Sequence, residues 1–98
     1  MNDRIEHQIR RAQRVLSVLR HRNVPVYNVH LSANHVRPVI ETGAGPFAWH
    51  CAAFGLDDRG HWADFIAHLD GVELHRRVRS TEEIMAALQR EMRREVLP

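Results

Sequence analysis

The sequence predicts an α+β protein in which a four-stranded antiparallel sheet carries an N-terminal and a C-terminal helix on one face, in the order α-β-β-β-β-α. Each end of the chain repeats apolar residues every three or four positions, which is the period of an amphipathic helix. Between these ends apolar and polar residues alternate, as in strands with one wet face. The 98 residues are expected to form a single domain, residues 1–98.

The first helix is predicted from Asp3 to about Arg22. Arginines occupy the side opposite its apolar stripe, which makes the segment amphipathic. Pro25 cannot continue the helix because it lacks a backbone N–H group. The stripe consists of Ile5, Ile9, Ala12, Val15, Leu16 and Leu19.

Beyond Pro25 the period changes to two, and Tyr27, Val29 and Leu31 are predicted to share one face of a strand. A turn at residues 32–35 leads to a second strand over 36–41, where Pro38 must face an edge or a bulge. Residues 47–56 alternate again. One face of that stretch is predicted to hold Phe47, Trp49, Cys51 and Ala53.

Residues 61–71 fit two interpretations. As a helix, the segment gathers its apolar residues on one face and ends at Gly71. As a strand, it ends at Asp70-Gly71, the two-residue turn of a hairpin with residues 72–79. We favour the hairpin because its register makes chemically matched cross-strand pairs. These pairs are His68 with Glu73, Asp64 with Arg77, and Trp62 with Arg79.

The last helix begins with a capping box, in which Ser80 is the N-cap and Glu83 follows three residues later. Arg90, Arg93 and Arg94 lie toward the C-terminal end of this helix, where they complement the helix dipole. Its apolar stripe is predicted to contain Ile84, Met85, Leu88, Met92 and Val96.

All 14 basic residues other than the 8 histidines are arginine, and Cys51 is the single cysteine. No internal disulfide can form, and no apolar run approaches the length of about 20 residues that a membrane span needs, so we expect a cytoplasmic protein. His50 and Cys51 point to opposite faces of a strand and cannot form a catalytic pair. We therefore predict no enzymatic activity and no cofactor.

The predicted hairpin places four residues on the sheet face turned away from the helices, and we interpret them as a contact patch for a protein partner. Tryptophan and arginine on an open sheet face are typical of interaction hot spots. The chain itself is expected to be a monomer or a homodimer. The contact patch consists of Trp62, Ile66, Arg77 and Arg79.

Two alternatives remain open at this point. The first helix could bind nucleic acid through phosphate contacts of Arg10, Arg11 and Arg14. The histidines could instead make the chain a metal-binding domain, with His30 and His35 converging across a turn. No complete set of zinc ligands with the usual spacing is visible, so we assign no metal ligands.

Three stretches resemble a group of small accessory proteins of temperate bacteriophages. They are Val24-Pro25-Val26, Val29-His30-Leu31-Ser32 and Arg37-Pro38-Val39-Ile40-Glu41, and the likeness covers about residues 4–42. Such proteins begin with an arginine-rich amphipathic helix followed by extended strands. The resemblance implies a phage-associated protein that binds and modulates a host protein, as anti-CRISPR proteins and other host-takeover factors do.

Overall fold

A computed structural model describes residues 3–31 and 37–96, with side chains as far as residue 90. Neither helix, over the residues described, has the length and apolar character needed to cross a bilayer. The α+β class is confirmed. Within these residues the elements are α1 (Asp3–His21), β1 (Val26–His30), β2 (Val39–Thr42), β3 (His50–Asp57), β4 (Gly60–Leu69), β5 (Val72–Val78) and α2 (Thr81–Val96).

The strands form a 5-stranded mixed sheet in the order β1-β2-β5-β4-β3. The prediction of four strands was wrong: the sheet has five, because both strands of the hairpin are present in addition to the three strands before it. The prediction of an antiparallel sheet was also wrong, since β2 runs parallel to β5 with Ile40 opposite Leu74. Turn residues predict the antiparallel pairing of two strands that follow each other in the chain. The pairing of strands that are distant in sequence involves no shared turn, so the turn residues do not predict it.

The chain divides into two compact units. The first unit contains residues 1–48 and 67–76, and the second contains residues 49–66 and 77–98. All four residues of the predicted contact patch belong to the second unit. The arginines of α1 belong to the first.

In the first unit α1 buries one side, as predicted, but the buried side is rotated relative to the predicted stripe. Gln8 is buried beside the expected apolar residues, whereas Ile5, Ile9 and Leu16 are only partly buried. A buried amide at the centre of the packed side could not be read from apolar periodicity. The buried residues of α1 are Gln8, Ala12, Val15 and Leu19.

The helix ends in a local capping motif before it reaches Pro25. Asn23 adopts a left-handed conformation with φ of 57°. Its N–H donates to the Arg20 carbonyl at 3.1 Å, and the Val24 N–H donates to the Leu19 carbonyl at 2.9 Å. This pair of bonds is a Schellman motif, and buried Val24 supplies the apolar contact that accompanies it.

Strand β1 pairs antiparallel with β2, and its register shifts between Val26 and Asn28. Tyr27 lies at this shift and is 70% exposed. The prediction that Tyr27 continues a regular alternation with Val29 and Leu31 was therefore wrong, because the inserted residue breaks the period of two.

The predicted turn at residues 32–35 and the first residue of the predicted second strand, Val36, lie outside the described residues. Strand β2 starts at Val39, so Pro38 precedes the strand instead of interrupting it. The Pro38 carbonyl accepts a hydrogen bond from the Glu73 N–H at 3.0 Å. A residue at this position does not have to donate a backbone hydrogen bond to the sheet, which explains why a proline is tolerated here.

The helical interpretation of residues 61–69 was wrong, and the hairpin is confirmed. Asp70 and Gly71 both have positive φ, 48° and 76°, as a type I′ turn requires. In the first unit, the His68 imidazole lies 3.9 Å from the Glu73 carboxylate, as the predicted register requires.

In the second unit α2 begins at the predicted capping box. The Glu83 N–H donates to Ser80 Oγ at 3.4 Å, and the Ile84 N–H donates to the Ser80 carbonyl at 2.9 Å. Met85 is 52% exposed, so its assignment to the apolar stripe was wrong. The side chains of Met92 and Val96 lie outside the described part of the chain. The core of this unit contains Ala63, Phe65, Val78 and Ile84, with Trp49, Cys51, Ala87 and Leu88 packed against it.

Candidate protein-binding surface

A tight hairpin connects β3 to β4 and sets the geometry of the candidate surface. The Arg59 N–H donates to Asp57 Oδ1 at 2.9 Å, which closes the turn through a side chain. Gly60 follows with φ of 104°, a conformation that other residues rarely adopt. Asp57 and Gly60 are the last register partners of the two strands, so the turn consists of these two residues and the two between them.

Alternation along β4 separates a core face from an outer face. Ala63 and Phe65 point into the core that includes Ile84 of α2. Trp62 and its neighbours at every second position therefore point away from α2. The outer face of β4 in this unit carries Trp62, Asp64 and Ile66.

The Trp62 ring is held between a glycine and a guanidinium. Its cross-strand partner on β3 is Gly55, where an added Cβ would lie 2.8 Å from Cζ2 of the ring. The Cζ atom of Arg77 lies 4.5 Å from the ring centroid, within the range of a cation–π contact. The indole is thus partly exposed, with one face against the Gly55 backbone and the other against Arg77, and both contacts favour the same ring orientation.

The same Arg77 makes two charge-assisted hydrogen bonds to Asp64. Nε donates to Oδ1 at 2.7 Å and Nη2 donates to Oδ2 at 2.9 Å. The Asp64 side chain is only 12% exposed, against 49% for Arg77. A carboxylate this buried needs a charged partner, so the pair anchors the guanidinium that stacks on Trp62.

A second arginine–carboxylate pair lies beside the turn. Arg79 donates from Nη1 and Nη2 to the two carboxylate oxygens of Asp57, at 3.0 and 2.9 Å. The Arg79 guanidinium, followed by the Arg59 backbone N–H, holds the pKa of the Asp57 carboxyl below its ordinary value of 3.8. The same bonds raise the pKa of Arg79.

The four residues of the predicted contact patch are not all in contact with one another in the structure. Trp62 and Arg77 are in direct contact, and the predicted pairing of Asp64 with Arg77 is confirmed. Trp62 stacks on Arg77, however, instead of the predicted Arg79. Arg79 is drawn to Asp57, 22 positions away along the chain, by a bidentate bond that no cross-strand spacing revealed. Ile66 is partly buried opposite His50, at the other end of the β3 pairing.

Two exposed apolar residues on β3 were missed. Phe54 and Leu56 are 74% and 69% exposed. The prediction placed Cys51 and Ala53 on one face and Phe54 on the other, but the register shifts between Cys51 and Ala53. Because of this shift, Cys51 and Phe54 occupy the same face, opposite Phe65 and Ala63 respectively.

The arginines proposed for nucleic acid, Arg10, Arg11 and Arg14, are exposed on α1. Arg14 lies 3.5 Å from the Asp70 carboxylate, and Arg11 packs against Gly71. Both side chains thus approach the β4–β5 turn within the first unit. An open cavity of about 390 Å³ along the same helix is lined by Arg4, His7, Gln8 and Arg11.

The described residues bring together no group of three or more histidine, cysteine or acidic side chains suited to hold a metal ion. His35, proposed to converge with His30, lies outside that part of the chain. Cys51 is partly buried against the core of the second unit, and its thiol lies 3.6 Å from the Ala53 carbonyl oxygen. Its neighbour His50 pairs with Ile66 of the outer face, so the two side chains point to opposite faces, as predicted.

No protein family, curated protein or solved structure matches this chain.

Proposed function

We propose that this chain is a non-enzymatic binding protein whose contact surface is the outer face of the second unit, at Trp62, Ile66, Arg77 and Arg79. The partner is a host protein that the chain modulates, as the resemblance to accessory proteins of temperate phages implies. The observation that carries the proposal is the partly exposed Trp62 ring, stacked on an arginine that Asp64 already holds in place.

A held tryptophan–arginine pair suits binding for an entropic reason. Ordering a free arginine side chain at an interface costs about 0.5–1.5 kcal/mol, and prior immobilisation removes that cost from the association step. Arg77 is fixed by two hydrogen bonds and a ring contact before any partner arrives. Tryptophan and arginine are also the residues that dominate measured hot spots.

Charge neutralisation at the surface supports the same proposal. Arg77 and Arg79 each face a carboxylate, so the four charges of the two pairs cancel. A guanidinium carries five donors, and Asp57 accepts from two nitrogens, so Arg79 can also donate to a partner. Such a surface is suited to a partner that presents apolar groups and hydrogen-bond acceptors instead of a dense run of charge.

The experiment is an affinity capture from the native host with the wild-type chain immobilised, followed by a titration of the purified captured protein. Trp62→Ala and Arg77→Ala are each expected to weaken binding by about 2 kcal/mol or more, about 30-fold in Kd. Arg90→Ala, an exposed arginine of α2 in the same unit, is the matched control and should bind like the wild type.

Circular dichroism of the variants keeps the result interpretable. A folded Trp62→Ala chain that binds with unchanged affinity contradicts the proposal. If Trp62→Ala, Arg77→Ala and Arg90→Ala all capture the partner as well as the wild type does, the contact surface lies elsewhere on the chain.

The cavity along α1 favours a second candidate function, nucleic-acid binding. Arg4, His7 and Arg11 line one side of the helix and can approach a phosphate together. If phosphate contacts supply the affinity, raising salt from 50 to 200 mM should weaken binding of a DNA or RNA duplex steeply. Gel-shift titrations of the wild type and of Arg11→Gln separate this function from protein binding, which predicts no such slope.

A further inference from the structure

From Ala53 to Leu56 the β3 edge of the sheet lacks the features that usually prevent strands from pairing with other molecules. In the strand order β3 is terminal, so one side of its backbone has no neighbouring strand among the described residues. From Cys51 to Leu56 the strand contains neither a charged residue nor a proline. Natural edge strands use charge, proline or shortness to avoid association, and a long apolar edge is a template for pairing.

The side chains of this edge are apolar and open to solvent. Phe54 and Leu56 are 74% and 69% exposed and share one face of the strand. Between them lies Gly55, whose outer face is covered by the Trp62 ring. The regular part of the edge runs from Ala53 to Asp57, since the register shift ends it on the other side.

The opposite edge of the sheet shows the contrast. Strand β1 is shorter, and its register shifts between Val26 and Asn28. The Asn28 side chain accepts a hydrogen bond from the Val29 N–H at 2.9 Å, so a local group already satisfies one backbone donor. Tyr27 is nevertheless 70% exposed there. Exposure of an apolar ring is thus common to both edges, whereas a regular, uncharged backbone segment belongs to β3.

The geometry points to a second copy of this chain as the occupant of the β3 edge, paired antiparallel about a two-fold axis at Gly55. In this register Phe54 of each copy lies opposite Leu56 of the second copy, which forms an aromatic–aliphatic pair twice. Gly55 meets Gly55 at the axis, where the absence of side chains lets the backbones approach.

The charges at the strand ends select the antiparallel direction. The turn that follows β3 carries Asp57, Asp58 and Arg59, whereas the start of the strand carries no acidic or arginine residue. An antiparallel copy keeps the two turns at opposite ends of the pairing, whereas a parallel copy in register would set like charges of the two turns side by side. Asp57 is already paired with Arg79, so Asp58 and Arg59 are the charges whose like-charge contacts the antiparallel direction avoids.

Sedimentation velocity of the untagged full chain over a range of concentrations tests the dimer. The wild type is expected to reach twice the chain mass of 11.4 kDa. Leu56→Lys sets a charge against Phe54 of the second copy at both ends of the pairing and should raise the dimer dissociation constant at least about 100-fold. Phe54→Lys should act the same way. Tyr27→Lys, an equally exposed site on β1, is the control and should leave the constant unchanged.

Both lysines replace exposed side chains, and far-UV circular dichroism checks that the variants fold. A wild type that stays at the mass of one chain up to about 1 mM overturns the inference, because pairing weaker than this supplies less than about 4 kcal/mol. A dimer that survives Leu56→Lys and Phe54→Lys, or that Tyr27→Lys dissociates, overturns it as well. Dimerisation is independent of the proposed partner binding, because neither lysine replaces a residue of the contact patch.

Discussion

Trp62 lies directly against the backbone of Gly55, its partner across the β3–β4 pairing. A methyl group at Gly55 would come within 2.8 Å of Cζ2 and 3.0 Å of Cε2 of the indole. A glycine in a strand weakens the strand, but an aromatic ring laid over it from the neighbouring strand restores buried contact. The ring therefore both supports the hairpin and offers its other side to Arg77.

Gly55→Ala is expected to lower the free energy of unfolding by about 1–3 kcal/mol, because the ring must move against the arginine stacked on it. Urea denaturation measures the loss. In a Trp62→Leu background the same substitution should cost little, since the indole that it strikes is gone. Equal losses in the two backgrounds would show that the ring does not press on Gly55.

Asp64→Asn is expected to release Arg77 from its anchored position. The loss of stability should be about 1 kcal/mol, since Arg77 is half exposed and water can replace part of the bond. The effect on partner binding should be larger than the effect on stability, because Arg77 would no longer be held over Trp62. An NMR shift of the Trp62 indole N–H reports the release.

The matched control for Asp64→Asn is Arg14→Gln, which breaks an ion pair whose two side chains are 65% and 61% exposed. This change should alter stability by less than about 0.5 kcal/mol. An indole signal that stays in place after Asp64→Asn would mean that the stack with Trp62 alone positions Arg77.

Acidification should weaken the Asp57–Arg79 pair in a defined direction. The pKa of Asp57 is lowered in the folded chain, so the pair stabilises the fold above the ordinary value of 3.8 and loses this contribution as pH falls through the lowered pKa. In Arg79→Gln the pKa of Asp57 should rise toward 3.8, which carboxyl NMR titration measures directly.

Arg59→Gln is the control for Arg79→Gln. The Arg59 contact to Asp57 comes from the backbone N–H, so changing its side chain should leave the Asp57 titration in place. A pKa that moves as far in Arg59→Gln as in Arg79→Gln would show that charge near the turn, and not the bidentate bond, controls Asp57.

Gly71→Ala should destabilise the β4–β5 hairpin for two separable reasons. The φ of 76° disfavours any residue with a Cβ by about 1–2 kcal/mol, and that Cβ would lie 2.9 Å from Nη1 of Arg11. Thermal unfolding of Gly71→Ala with and without Arg11→Ala separates the two. The double variant should recover the part of the loss due to the clash, and no recovery would leave backbone strain as the whole cause.

Local chemistry in the sequence determined the helix ends, the hairpin turn and part of the site. The Ser80 capping box and the Asp70-Gly71 turn act through neighbours along the chain, so their residues predict them. The alternation on either side of that turn also predicted the contact between Asp64 and Arg77, because a two-residue hairpin sets its register.

Only the tertiary structure decided the features that join distant segments. The parallel contact of β2 with β5 and the bond from Arg79 to Asp57 connect residues with no shared turn, so spacing along the chain carries no record of them. The sequence pattern also does not predict the shift in register near Cys51, although this shift reverses the face that Phe54 occupies. A single inserted residue in a strand changes which side chains meet solvent, and it does so through pairing that forms only when the sheet is assembled.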